Sequence, residues 1–213
     1  MDVKTIKIKW AENELSQNTH IIEFNTGCVL IDAGCSINEV KNLTNKPIKA
    51  VLLTHAHFDH IKNIEEYDKQ NIKIYAHKAV LDMLNNTTNN ASLLFNQPSK
   101  YKINNLYLLV DQDELEIGEL NILCLHTPGH SIDSMCYLIN NEHLFSGDTL
   151  FSVAIGRTDL PTGDTQKLIA SLKRIQNLNY NTLYTGHGRV STKQEQNTNI
   201  PNWINLLQQN ISL

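Results

Sequence analysis

Long apolar runs are missing from this 213-residue chain: none exceeds a few residues, against the roughly 20 that a membrane-spanning helix needs. Met1-Asp2-Val3-Lys4 opens without the apolar core of an export signal, so a cytoplasmic protein is expected. A basic excess is missing too. The net charge of −4 leaves no cationic face for a nucleic acid. Cysteine is sparse, and Cys28, Cys35, Cys124 and Cys136 show no CxxC spacing. Cys124 and Cys136 fall inside strand-like apolar runs, where cysteine behaves as a small hydrophobe, and all four read as structural thiols rather than disulfides. Arginine is scarce, with three against fifteen lysines. Linkers, repeats and shifts of composition are absent as well, so residues 1–213 are expected to form one domain. At 41% apolar and 19% charged, the chain has an ordinary globular composition and is long enough to bury a sizeable core.

What is present is a succession of short strands and helices. Lys4 to Trp10 alternates polar and apolar residues, as a half-buried strand does. Residues 18–24 and 28–32 flank Asn25-Thr26-Gly27 and read as a hairpin. Ser36 and Glu39 form a capping box for a short helix. A strand at 48–54, a helix at 61–69, a strand at 72–76 and a short helix at 78–84 follow. The polar stretch 85–105 reads as a long surface loop and a candidate flap over a substrate. Strands are then expected at 106–110, 114–117, 121–126, 135–140 and 142–146. Asp164 caps a helix to Asn177 with Leu168, Ile169, Leu172 and Ile175 on one face. After a strand at 182–184 come a polar helix near 192–198 and a separate helix starting at Pro201. Two groups of strands, each followed by helices, predict two sheets between helical layers.

The chemistry gathers at strand ends. Thr54-His55-Ala56-His57-Phe58-Asp59-His60 puts four potential metal ligands within six residues, directly after the apolar run Ala50-Val51-Leu52-Leu53. On an extended strand end, His55 and His57 point to one side. Imidazole beside carboxylate suits zinc, manganese or iron. Three further stretches repeat the pattern of a polar residue closing an apolar strand: His130 in Thr127-Pro128-Gly129-His130, Asp148 in Phe145-Ser146-Gly147-Asp148, and His187 in Thr185-Gly186-His187-Gly188. Any one of them alone would be an ordinary turn residue. Together they supply five histidines and two aspartates, enough for two metal ions sharing a carboxylate. Asp32, at the end of another strand, is a candidate for orienting a ligand.

The set THAHFDH, TPGHS, FSGDTLF and TGHG resembles the metallo-β-lactamase fold superfamily, and is most similar to its short glyoxalase II-like hydrolases. The resemblance covers nearly the whole chain. It implies an α/β (α+β) fold, a four-layer αββα sandwich with the site at one edge between the sheets. It implies that His55, His57 and His130 hold a first divalent ion, that Asp59, His60 and His187 hold a second, and that Asp148 bridges them. Zinc is the expected metal, with iron or manganese as alternatives. Asp59 and Asp148 become the catalytic carboxylates, and a hydroxide shared by the two ions opens a thioester such as S-lactoylglutathione.

Within the superfamily, Ile155-Gly156-Arg157-Thr158-Asp159 resembles both the short glyoxalase II-like group and the mononuclear iron persulfide dioxygenases, which are the alternative; a hydrolase of another ester or lactone is a further one. Arg157 and Arg189 each lie just after a ligand-type residue, which suggests a bidentate partner for a substrate carboxylate. Pairing of Arg157 with Asp159 or Asp164 is the competing expectation. The helical region with which longer glyoxalase II enzymes bind glutathione has no counterpart in this sequence. Ile132-Asp133 also departs from the Pro-Gly or Gly-Ser usual after this histidine, a change expected at the floor of the pocket. The partner expected is a small thioester, with neither nucleic acid nor membrane.

Overall fold

The computed structural model describes residues 1–8 and 16–211, with side chains up to residue 209. Six strands, β1 (Asp2–Ile8), β2 (Gln17–Phe24), β3 (Gly27–Ile31), β4 (Ile48–Leu52), β5 (Lys73–His77) and β6 (Leu106–Leu109), form one sheet in sequential order. A second sheet holds β7 (Glu114–Ile117), β8 (Leu120–His126), β9 (Met135–Ile139), β10 (His143–Phe145), β11 (Thr182–Tyr184) and β12 (Ser191–Thr192), again in sequential order. In the first sheet β3, β4, β5 and β6 run parallel, while β1 and β2 enter antiparallel. In the second only β10 and β11 are parallel. The remainder of the expected first strand, Lys9 and Trp10, lies outside the described residues.

Alternation along the buried strands assigns side chains to layers. On β3 and β4, Cys28, Leu30 and Val51 face one core, while Val29, Ile31, Ala50 and Leu52 face another. On β9, Met135, Tyr137 and Ile139 join that second core, and Cys136 and Leu138 join a third. A strand buried on both faces places alternate residues in two different cores. The middle core therefore lies between the sheets. The first packs the outer face of the N-terminal sheet under α1 (Ile37–Lys41), α2 (Phe58–Ile61), α3 (Ile64–Lys69) and α4 (Leu81–Leu84). The third packs α5 (Thr165–Gln176) and α6 (Lys193–Ile211) on the other sheet. The result is the four-layer αββα sandwich. All four cysteines are buried and free.

Caps behave as the sequence predicts. Ser36 and Glu39 close the capping box of α1, and the Asp164 side chain accepts from Lys167 N at the start of α5. The C-terminal segment differs from expectation. One helix runs from Lys193 to Ile211 with Pro201 inside it, in place of two helices meeting at the proline. Its first turns have no apolar stripe, which hides them from periodicity. Polar groups hold them instead: buried Gln196 donates to Ser152 O at 3.0 Å and to Ser191 Oγ at 2.9 Å, and Asn199 donates to Ser152 O at 2.9 Å. These contacts and the packing of Ile200 and Ile204 offset the one helical hydrogen bond that proline removes. Loop 85–105 contains turns but no strand or helix of its own. Among the described residues no helix is long and apolar enough to cross a membrane.

Candidate metal centre

The ends of β3, β4, β8, β10 and β11 converge at one edge, and hydrogen bonds across the sheets lock them together. Met135 N donates to Thr54 O at 2.7 Å, and Tyr137 Oη to Leu53 O at 2.6 Å, so β9 holds the end of β4 from the opposite sheet. Ala33 N donates to His60 O, and Asn18 N to Gly186 O, each at 2.7 Å. The seven residues expected as ligands all fall in this junction.

Three overlapping groups of donors result. Ligand atoms of His55, His57 and His130 lie within 4.8 Å of one another, as do those of His55, His60 and Asp148, and those of Asp59, His60 and His187. Asp148 stands between the first and last groups. Its Oδ2 is 3.6 Å from His130 Nε2 and 3.3 Å from His187 Nε2, and its Oδ1 is 3.3 Å from His60 Nε2. Asp59 Oδ2 faces His187 Nε2 at 3.2 Å and His60 Nε2 at 3.6 Å. The histidines at 55, 57, 60 and 130 are buried, whereas Asp59 and His187 keep 15% of their side-chain surface and form the mouth.

Each imidazole is oriented by what its other nitrogen does. The Nδ1 of His130 can only donate to Arg157 O, at 2.9 Å, and that of His187 only to Ser16 O, at 3.2 Å. His60 Nδ1 donates to Asp32 Oδ2 at 2.7 Å. The Thr54 hydroxyl gives its proton to Asp32, at 2.8 Å from Oδ2, and so accepts from His55 Nδ1 at 3.1 Å. All four thereby turn Nε2 toward the cluster, the nitrogen that would bind a metal ion once free of its proton. His57 is the exception, presenting Nδ1 to His130 Nε2 at 2.9 Å. Asp32 adopts a left-handed backbone (φ 66°) while holding Thr54 N, the Thr54 hydroxyl and His60 together. Backbone strain of this kind collects at functional sites.

The donors fit divalent ions. His55 Nε2 and Asp148 Oδ1 are buried without a hydrogen-bond partner, and each such atom costs about 1–3 kcal/mol unless something else occupies it. Imidazole and carboxylate are ligands of zinc, manganese and iron. Space is kept by Gly186, where a Cβ would run into Asp148 Oδ1 and His60, and by Gly147 (φ 50°), where one would strike Thr54. Electrostatics divide the groups. Burial, with neighbouring imidazoles, pushes His57 down to about 3 and lowers His55 and His130, so these are neutral donors. Burial opposes charge on His187 as well, but Asp148 and Asp59 outweigh it and raise the ring to about 10. Asp59, Asp148 and Asp32 likewise carry His60 well above its ordinary value against its burial.

The model of the metallo-beta-lactamase superfamily matches residues 13–187. The chain belongs to that superfamily. It is 33% identical over 204 residues, 89% of this chain and 96% of the relative, to the probable metallo-hydrolase YqgX of Bacillus subtilis (strain 168). It is 34% identical over 161 residues to a hydroxyacylglutathione hydrolase of Bartonella quintana, matching 74% of this chain but only 54% of that protein. Among solved structures, the B3 metallo-beta-lactamase BLEG-1 superposes with a TM-score of 0.80 at 30% identity, covering 92% of this chain and 96% of the other. TTHA1623 in a di-iron-bound form gives 0.77 at 27% identity, covering 93% and 99%.

Other residues singled out in the sequence stand apart from this metallo-beta-lactamase-type centre. Arg157 contributes its backbone carbonyl to His130, while its guanidinium, 64% exposed, pairs twice with Asp159 at 2.6 Å. The guanidinium of Arg189 pairs with Glu195 at 2.9 Å. A substrate carboxylate would have to take either arginine from a partner already in place. Loop 85–105 is tied to the ligand loop, since Phe58 N donates to Asn90 O at 2.8 Å and the rings of Phe58 and Phe95 stack at 6.2 Å. His20, His77, His126 and His143 lie outside the three donor groups. Sequence reasoning did not foresee the supports of the His187 loop: Asn18 Nδ2 donates to Thr185 O and Gly188 O, and His20 donates Nε2–H to Thr185 O at 3.0 Å. Polar residues on a buried strand are their only trace, because β2 opens with Gln17-Asn18-Thr19-His20 where apolar side chains are the norm.

Proposed function

We propose that the chain is a binuclear metal-dependent hydrolase of thioesters, of the kind that opens S-lactoylglutathione, with zinc in both positions. The observation that carries this reading is Asp148 set between a neutral trio, His55, His57 and His130, and a carboxylate-bearing group, Asp59, His60 and His187. In this reading the trio and Asp148 hold one ion, and Asp59, His60, His187 and Asp148 hold the other. Ions held there would supply polarisation of the substrate carbonyl and a bound water with a pKa of about 7.

The chain's own residues do the rest. Asp148 Oδ2 faces both His130 and His187 while Oδ1 faces His60, so one carboxylate touches both halves of the centre. Asp59, at the mouth, orients entering water. Asp32 holds His60 through Nδ1 and His55 through the Thr54 hydroxyl, so both present Nε2 inward throughout the cycle. No serine or cysteine nucleophile is called for, and all four cysteines are buried. Loop 85–105, tied to the ligand loop through Asn90 and Phe95, is the candidate flap over the substrate. The partial match to the Bartonella hydroxyacylglutathione hydrolase favours glutathione. The pairing of Arg157 with Asp159 and of Arg189 with Glu195 favours a second reading, an ester or lactone without a distal carboxylate.

Purified protein saturated with zinc, assayed on S-lactoylglutathione, an uncharged thioester and a lactone, decides between them. Turnover of the first at least tenfold above the others supports the glutathione thioester. The reverse order supports the second reading, and no hydrolysis of any of them contradicts both. Metal analysis with oxygen uptake on glutathione persulfide tests the mononuclear iron dioxygenase.

A further inference from the structure

Asp133, in the turn Ser131-Ile132-Asp133-Ser134 that follows His130, is 1% exposed. Its carboxylate spans two ligand loops that are distant in the chain. Oδ2 accepts from Ala56 N at 2.8 Å, the peptide N–H midway between His55 and His57. Oδ1 accepts from the Ser131 hydroxyl at 2.7 Å, the residue directly after His130. Ser131 is in turn held by Ser134, whose Oγ lies 2.8 Å from its own and accepts from Ser131 N at 3.2 Å.

We propose that Asp133 is a positioning residue for the His55, His57 and His130 trio, clasping the two loops that carry it so that the three ring nitrogens converge before any ion arrives. The inference rests on the binuclear reading above and assigns the clasp to one of its two halves. Asp32 does the corresponding work for His60. The two buried carboxylates thus grip the ligand stretch at neighbouring points, Asp32 at Thr54 and His60, Asp133 at Ala56. Burial pushes the Asp133 carboxyl up to about 6. Keeping it ionised at neutral pH therefore works against folding, and a residue chosen for stability alone would not be charged here.

The experiment titrates metal-free protein with zinc against a chromophoric chelator, and follows the imidazole signals by NMR. Filling the trio moves His55, His57 and His130; filling the other half moves His60 and His187. Asp133→Ala removes both hydrogen bonds. Asp133→Asn can keep them, its carbonyl accepting from Ala56 N and its amide donating to Ser131 Oγ. Asp68→Ala breaks an equally dense but remote carboxylate network with Asn104 and Asn105 and controls for general loosening.

The expected result is a trio affinity weakened about 10- to 100-fold in Asp133→Ala, with the other half unchanged. Asp133→Asn should restore it to within a few-fold, and Asp68→Ala should affect neither half. Wild-type affinity in Asp133→Ala overturns the inference and leaves the binuclear reading standing. So does an equal loss at both halves that Asp68→Ala reproduces. A wild-type chain that takes up no zinc at the trio overturns both together. If Asp133→Ala does not fold, Ser131→Ala, which removes one of the two hydrogen bonds, must show a smaller loss confined to the trio.

Discussion

Asp148 is the residue on which both halves of the centre depend, since its two oxygens face His130, His60 and His187 at 3.3–3.6 Å. Asp148→Ala should remove metal and hydrolysis together, which metal analysis of the dialysed variant checks; two ions retained per chain would refute the shared carboxylate. Gly186→Ala should do nearly the same without touching a donor, because its Cβ would occupy the place of Asp148 Oδ1. Conversely, alanine at His77, His126 or His143 should leave the metal content at the wild-type value. The ligand types were legible in the sequence because strand-end His and Asp in glycine turns form a dense pattern within a few residues. Their supports were not. The Arg157 carbonyl that orients His130, the Ser16 carbonyl that orients His187 and the Thr54 hydroxyl that relays from Asp32 to His55 carry no periodicity, and backbone carbonyls have no residue identity at all.

At the scale of elements, strands were read well because alternation is strong in chains buried on both faces, and caps because they are local chemistry. The start of α6 escaped notice since it is held by Gln196 and Asn199 donating to Ser152 O rather than by an apolar stripe. Asn199→Ala should therefore destabilise the protein by about 1 kcal/mol, a fall of roughly 2–4 °C in melting temperature for a chain of this size. Removing the α5 cap by Asp164→Ala should cost a similar ~1 kcal/mol, and calorimetry measures both. Loop 85–105 was legible only as polar and long. Its anchoring to the ligand loop through Asn90 and Phe95 depends on residues with no counterpart nearby in sequence. Phe95→Ala should alter KM for the substrate and leave metal content unchanged, as steady-state kinetics with metal analysis will show.

Over the whole molecule, two sheets packed face to face bring five strand ends into one metal-binding junction at one edge of the sandwich. That convergence concentrates charge, so the metal-free protein should be sensitive to pH. His187 is raised to about 10 from an ordinary 6.5; the stability it contributes is complete below pH 6.5 and is lost as pH climbs toward 10. Asp148 is held far below its ordinary 3.8 by His187 and His60 despite its burial, so its contribution is present above that pH and lost in acid. Melting temperatures in a strong chelator should therefore peak between about pH 4 and pH 6.5 for these groups, while a metal-loaded sample should hold its stability to higher pH. The fold and family were open to reading from the ligand pattern and strand order. The substrate was not, because the two arginines that pointed to it are engaged with acidic neighbours along the chain. The number of ions held per chain tests the central claim most directly. Protein saturated with zinc and freed of excess by gel filtration should carry two ions per chain, and a value of one or none would contradict a binuclear centre built on Asp148.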